Sequence, residues 1–179
     1  MLTRAFLFLL DSVASFLCGV LLLRFFMQAF RVSFANPLGA FVVQLTNWLV
    51  APLRRFLPSA WGFDIASLLP AYLLQVLLLV ALIGLRGGLY LSEPGLLFGF
   101  VFGQALLAIL RLSVYLMIGA LVIQAVLSWV NPYSPLSAPA HQLTRPLLDP
   151  IRRFVPPISG IDLAPLVAIL LLQVVLMFL

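Results

Sequence analysis

Lysine is absent from this sequence, and cysteine and histidine occur once each. The lone Cys18 excludes an intramolecular disulfide and any CxxC site. It lies in an apolar run and reads as a small packing residue. The lone His141 excludes a bis-histidine haem site and most metal sites built within one chain. No Gly-rich phosphate loop, Ser-His-Asp order or pair of carboxylates is present. The sequence therefore reads as a non-enzyme without metal or cofactor. Charge itself is scarce: 8% of the 179 residues are charged, with ten arginines against five acids, where a soluble domain carries about 25%. Such a surface cannot be covered by water alone, and 64% hydrophobic residues make lipid part of the solvent.

The net charge of +5 does not point to nucleic acid, because no basic face is interleaved with aromatics. The bulky Phe16 and Leu17 before Cys18 exclude a lipoprotein cleavage site. No A-x-A site follows the first apolar run either, so that run reads as a retained helix. Four apolar segments stand out, at about 5–30, 64–85, 96–130 and 162–179, each near or above the ~20 residues that cross a bilayer. Two proline-rich connections, about 31–63 and 131–161, and a short turn at Arg86-Gly87-Gly88 join them.

Self-comparison reveals a duplication. Gln44-Leu45-Thr46 recurs as Gln142-Leu143-Thr144. Pro52-Leu53-Arg54-Arg55-Phe56-Leu57-Pro58 recurs as Pro150-Ile151-Arg152-Arg153-Phe154-Val155-Pro156, and Asp64-Ile65-Ala66 as Asp162-Leu163-Ala164, all at an offset of 98. Asn36-Pro37 is matched to Asn131-Pro132 at 95. The chain divides into repeat 1, residues 1–90, and repeat 2, residues 91–179. If each repeat crosses twice, both enter the membrane the same way round. The predicted fold is all-α: a polytopic helical membrane protein with four spans in two parallel repeats and amphipathic interfacial connections. The connections hold Arg31, Arg54, Arg55, Arg145, Arg152 and Arg153, against Arg4 and Arg86 opposite. That bias places the connections in the cytoplasm of a bacterial inner membrane and both termini outside. The rival topology splits 96–130 at Arg111 into two spans and inverts the repeats.

Each connection has helical amphipathic spacing. In the first, Phe41, Leu45, Trp48, Leu49, Pro52, Leu53 and Phe56 share a face opposite Gln44, Asn47 and Arg54. In the second, Leu143, Leu147, Ile151 and Phe154 oppose Gln142, Arg145, Asp149 and Arg152. Pro52 and Pro150 are expected to break these helices. Asp64 and Asp162 are placed to cap the following helices, or alternatively to partner an arginine pair. Gly95, Gly99 and Gly103 form a small-residue ridge suited to helix packing.

Polar residues inside apolar segments are costly and commonly functional. Asp11 and Arg111 fall within about 7.5 Å of one depth on parallel helices, which suggests a cross-helix ion pair. Gln75 and Gln173 occupy equivalent mid-helix positions. They suit a hydrogen bond across the repeat axis, or the lining of a solute path. The pairs Arg54-Arg55 and Arg152-Arg153 are the candidate contacts for anionic headgroups or a protein partner.

The doubled pattern Gln-Leu-Thr-x-x-Leu-x-x-Pro-[Leu/Ile]-Arg-Arg-Phe-x-Pro, followed by Gly-x-Asp-[Ile/Leu]-Ala, resembles the YggT family, some of whose members are called YlmG. The resemblance runs from about Leu21 to Leu179. It implies a duplicated four-span membrane protein, and it carries over the arginine pairs, their flanking prolines, Asp64 and Asp162. It implies no catalytic residues. Relatives are associated with division-site or nucleoid organisation, with osmotic or salt tolerance, and with haem attachment to a cytochrome. The resulting expectation is a non-enzymatic scaffold or assembly factor in contact with lipid and an unidentified protein partner, and compatible with self-association. The alternatives are a small channel or transporter subunit, and a haem-attachment helper.

Overall fold

The computed structural model describes residues 2–56, 64–85, 94–155 and 162–179. They form helices α1 (Leu2–Ala29), α2 (Pro37–Phe56), α3 (Ile65–Leu85), α4 (Pro94–Val130), α5 (Ser137–Phe154) and α6 (Ala164–Phe178), with no strand among the described residues. The turn at Arg86-Gly87-Gly88 and the flanking prolines Pro58 and Pro156 lie outside the described residues.

Helix α1 ends by a specific device. The Val32 amide donates to the Met27 carbonyl at 2.7 Å and the Arg31 amide to that of Gln28 at 3.1 Å. This is the paired bonding of a Schellman stop, and Met27 and Val32 pack together in the core beneath it. The stop requires a left-handed residue, and Arg31 supplies it with φ 55°, although glycine suits that region better. Four residues beyond Val32, the Asn36 side chain accepts the Gly39 amide at 2.8 Å. Asn36 is thus the N-cap of α2, with Pro37 in the first helical position, where its missing N–H costs nothing. Gly39 has no alternative, because a Cβ there would lie 2.5 Å from the main chain of Phe34.

The register of repeat 2 differs from expectation. Pro37-Leu38 recurs as Pro135-Leu136 at the common offset of 98, so Ser134-Pro135 stands where Asn36-Pro37 stands. The Ser134 hydroxyl accepts the Leu136 amide at 3.3 Å. Asn131-Pro132 belongs to the three extra residues and follows the end of α4.

Helix α3 folds back antiparallel on α1. The Cys18 thiol donates to the Ala71 carbonyl at 3.3 Å, and Leu21 and Leu22 are buried against Ala66 and Ala71. Helix α4 is one uninterrupted helix of 37 residues, about 55 Å long at ~1.5 Å per residue. It is the spine of the molecule. Its first half meets α3, where the Tyr72 hydroxyl donates to the Phe102 carbonyl at 3.1 Å. Its second half meets α6, where Leu121 packs on Ala164 and Ala168. The break at Arg111 that the rival topology needs is not there. Gly95, Gly99 and Gly103 are exposed and have nothing within 4 Å of their Cβ positions among the described residues, so the expected packing ridge meets none of the described helices.

One apolar cluster joins Met27, Val32 and Val42 of repeat 1 to Met117, Ala120 and Leu143 of repeat 2. Both connections therefore share one end of the bundle, as parallel repeats require. Segments 4–29, 65–85 and 97–130 are long and apolar enough to cross a membrane. The 15 residues of α6 reach only about 22 Å of a ~30 Å hydrocarbon core. Much of the apolar surface is exposed, including Phe8 and Val13 on α1 and Leu77 on α3, as suits helices solvated by lipid.

The two connections are continuous helices, contrary to the expected breaks. Pro52 lies inside α2, and Pro146 and Pro150 inside α5. Pro52, Pro146 and Pro150 each forgo one i→i−4 bond, yet α2 runs on to Phe56 and α5 to Phe154. The apolar arc of α2 serves two sides. Val42, Thr46 and Val50 are buried, whereas Trp48 is 66% exposed and Phe41 also faces outward. In α5, Leu143 is buried in the bundle and Phe154 is exposed. Residues that share the wide apolar arc of α2 thus divide between the bundle and its surroundings.

Two substitutions should act in opposite directions. Gly39→Ala should lower unfolding stability by about 1–3 kcal/mol through overpacking. Arg31→Gly should raise it by up to about 1 kcal/mol by relieving the left-handed strain. Denaturant titration of the purified chain in detergent checks both signs.

Candidate functional site

The structure builds the same ion pair twice. In repeat 1, the last turn of α2 projects Arg54, whose Nη2 lies 2.6 Å from Asp64 Oδ2. In repeat 2, the last turn of α5 projects Arg152, whose Nη2 and Nε lie 2.7 and 3.0 Å from Asp162 Oδ2. Each pair ties the end of a connection helix to the start of the apolar helix that follows. The first arginine of each doublet is therefore engaged within the chain. Arg55 and Arg153 are exposed and have no acidic partner among the described residues.

The carboxylates also organise the next helix, by different means. Asp162 Oδ1 accepts the Ala164 amide at 3.0 Å, a side-chain bond to the first turn of α6. Asp64 Oδ2 accepts the Ser67 hydroxyl at 2.7 Å, while its main-chain carbonyl accepts the Ser67 and Leu68 amides. Of the two alternatives in the sequence, pairing is what both carboxylates do; Asp162 adds one amide of the next helix, whereas the Asp64 side chain reaches no amide. Burial separates the two copies: Asp64 is 1% exposed and Asp162 34%. A carboxylate without water needs its cation more.

Around each pair lies a second polar layer that differs between repeats. In repeat 1, Arg54 Nη2 also donates to Gln28 Oε1 at 2.8 Å. Beside it, Arg24 is buried to 3% exposure, and its Nη1 donates to Thr46 Oγ1 at 2.7 Å. Arg24 Nε has no hydrogen-bond partner among the described residues. Thr46 passes its own proton to the Val42 carbonyl at 2.6 Å. In repeat 2, Thr144 stands 2.9 Å from both Gln124 Oε1 and the Ala140 carbonyl. No arginine takes the place of Arg24. A cavity of about 400 Å³ opens there, lined by Gln124, Ser128, Ser137, His141 and Arg152 among others. On the outer face of α5, Arg145 and Asp149 form an exposed i,i+4 pair at 3.0 Å.

The intramembrane polar residues are not brought together as expected. Arg111 donates from Nε, at 2.8 Å, and from Nη2 to the Leu179 carbonyl, while Asp11 is exposed and forms no ion pair among the described residues. Gln75 is buried and α3 packs on α1, whereas Gln173 is exposed on α6. No hydrogen bond joins the two glutamines. The cause is the rotation of α6, which presents Ala164 and Ala168 to α4 and turns Gln173 outward. Sequence reasoning missed Arg24 and Thr46 as partners. The signal was available in a lone arginine inside an apolar segment and a threonine in the repeated Gln-Leu-Thr motif.

The CCB3/YggT family profile matches this chain in two segments, residues 3–85 and 103–179. Among similar proteins, that of the proC 3′ region of Vibrio alginolyticus is 38% identical over 93% of this chain and 88% of its own length. YggT of Escherichia coli K12 is 37% identical over 94% of this chain and 85% of its own. PA0392 of Pseudomonas aeruginosa is 34% identical over 97% and 87% respectively. No solved structure matches the chain.

The unequal burial sets unequal costs. Asp64→Asn should destabilise the chain by about 2–3 kcal/mol, the lower end for a buried pair because Arg54 is partly solvated. Asp162→Asn should cost about 1 kcal/mol, as for a largely solvated pair. Thermal unfolding of the two variants in one detergent compares them directly. Equal losses would show that burial does not govern the pairs.

Proposed function

Given that the chain belongs to the CCB3/YggT family, we propose that it is a non-enzymatic scaffold of the bacterial inner membrane. In this reading, its two connection helices lie at the cytoplasmic face and organise the cell envelope or division site by holding a protein partner. The observation that carries it is the division of labour within each arginine doublet. Arg54 and Arg152 hold the fold through Asp64 and Asp162, and Arg55 and Arg153 face outward at the same end of the bundle. A guanidinium that is exposed, fixed by a neighbouring ion pair and repeated within one chain suits contact with anionic headgroups or an acidic partner.

The arginine bias favours a cytoplasmic position for this end, since six of the ten arginines fall in the connections. The exposed Phe41 and Trp48 of α2 suit a helix lying along the headgroup layer. A solute path gains no support from the glutamines, because Gln75 is packed inside and Gln173 faces outward.

Photo-crosslinkers placed at Ala51 and Gln142 in living cells should capture a protein. Arg55→Gln with Arg153→Gln should abolish that capture, while Gln75→Leu with Gln173→Leu leaves it intact. Capture that survives removal of both charges would reject the reading. Single cysteines at Gln44 and Gln142, in a Cys18→Ser background, should both be reached only by membrane-permeant reagents. Labelling of either one from outside would overturn the proposed orientation.

A further inference from the structure

The first elbow holds more positive charge than its ion pair uses. Arg54 Nη2 donates both to Asp64 Oδ2 at 2.6 Å and to Gln28 Oε1 at 2.8 Å. Arg24 stands one turn before Gln28 on α1 and is 3% exposed. Its one hydrogen bond among the described residues runs from Nη1 to the Thr46 hydroxyl, a neutral acceptor, and its buried Nε has no partner among them. Two guanidiniums thus share one buried carboxylate. A buried cation without a counter-charge is strongly unfavourable, so Arg24 depends on Asp64, which lies within range of its charge. Asp64 has an acceptor to give. Arg54 and Ser67 both bond Oδ2, and Oδ1 accepts no hydrogen bond among the described residues. The second elbow is built otherwise. Val122 stands 98 residues after Arg24. Arg152 is the one cation paired with Asp162 among the described residues, and Asp162 Oδ1 already accepts the Ala164 amide.

We propose that the first elbow is a two-position device that binds a negatively charged phosphate, as on an anionic lipid headgroup: Arg54 leaves Asp64 for the phosphate, and Arg24 takes Asp64 in its place. The open donor, Arg24 Nε, and the open acceptor, Asp64 Oδ1, belong to one cluster, and the exchange joins them. Asp64 keeps a cation throughout, so the move avoids the large penalty of stranding a buried carboxylate. It also draws two like charges apart. What is given up is the exposed bond between Arg54 and Gln28, a modest loss. Arg54 is the cation able to leave, since its side chain is 42% exposed in the last turn of α2, and a guanidinium fork matches phosphate oxygens. Arg152 has no substitute and stays with Asp162. The inference rests on the elbows lying at a membrane face, but not on Arg55 or Arg153 holding a protein.

The test is native mass spectrometry of the full chain in mild detergent with phosphatidylglycerol, phosphatidylcholine or inorganic phosphate. The readout is retention of phosphatidylglycerol relative to phosphatidylcholine. Wild type should prefer phosphatidylglycerol. Arg54→Gln should lower that preference about fivefold, as for one guanidinium at an anionic headgroup. Arg24→Leu should lower it as much, although Arg24 is too buried to touch a lipid, because Arg54 is then held by Asp64. The double variant should lose no more than either single one, and Arg24→Lys should keep the preference. Thr46→Val frees Arg24 from its one bond and should raise the preference, which decides the matter if Arg24→Leu does not fold. Inorganic phosphate retained with the same dependence on Arg24, without a lipid preference, assigns the site to a soluble phosphate. A wild-type preference in Arg24→Leu, additive losses in the double variant, or no change in Thr46→Val would overturn the proposal. Partner capture through Arg55 and Arg153 is read separately, so either idea can fail alone.

Discussion

The bond on which this architecture depends joins an arginine at the end of a surface helix to an aspartate ten residues further on. A short amphipathic helix between two apolar ones has no intrinsic reason to adopt one angle. Its own hydrogen bonds run inward along its axis and say nothing about its neighbours. The guanidinium reaches out of the last turn of the surface helix and takes the carboxylate that begins the next apolar helix. One interaction thus ends the first element, starts the second and sets the direction between them. The buried copy at Asp64 also recruits Ser67 and lies beside Gln28 and Arg24, so repeat 1 has a polar core where an apolar one would be expected. Such a core is favourable only if its members are satisfied, and nearly all of them are.

The duplication was legible because it rests on identical residues at one spacing, and the elbow pairs follow from it. Helix existence was equally plain, since long apolar runs admit few other structures in lipid. What was not legible depends on rotation about helix axes. The spacing put Phe41 and Trp48 on the membrane-facing side of α2, where both are exposed, but it gave no sign of the second face, on which Val42, Thr46 and Val50 meet the bundle. The same uncertainty turned Gln173 outward while Gln75 went inward. The prolines misled for another reason. A proline inside a helix forgoes one bond, but the helix can run on past it, as α5 does past both Pro146 and Pro150.

The start of α5 shows how a correct repeat can still be misregistered. Asn-Pro is the more conspicuous dipeptide, and it attracted the match to Asn131-Pro132. The common offset falls on Ser134-Pro135 instead, but α5 starts only at Ser137, after Leu136 and without a side-chain cap, so serine does not repeat the role of Asn36. The residues displaced by this shift let α4 run on to Val130, whereas α1 stops at Ala29 under the Schellman turn. The two surface helices therefore leave their parent helices by different routes: one through a tight reversal packed on Phe34, the other through a looser turn.

That divergence follows from having both copies on one polypeptide. Two identical single-repeat chains assembled about a twofold axis would have to share every feature, so both elbows would be sealed or both hollow. Fusion removes this obligation. Each half is then free to accumulate its own substitutions, and one has filled its interior with Arg24 and Phe34 while the other has an open groove lined in part by Gln124, Ser128 and His141. Covalent linkage has in this way turned a symmetric pair into a molecule with two unlike halves.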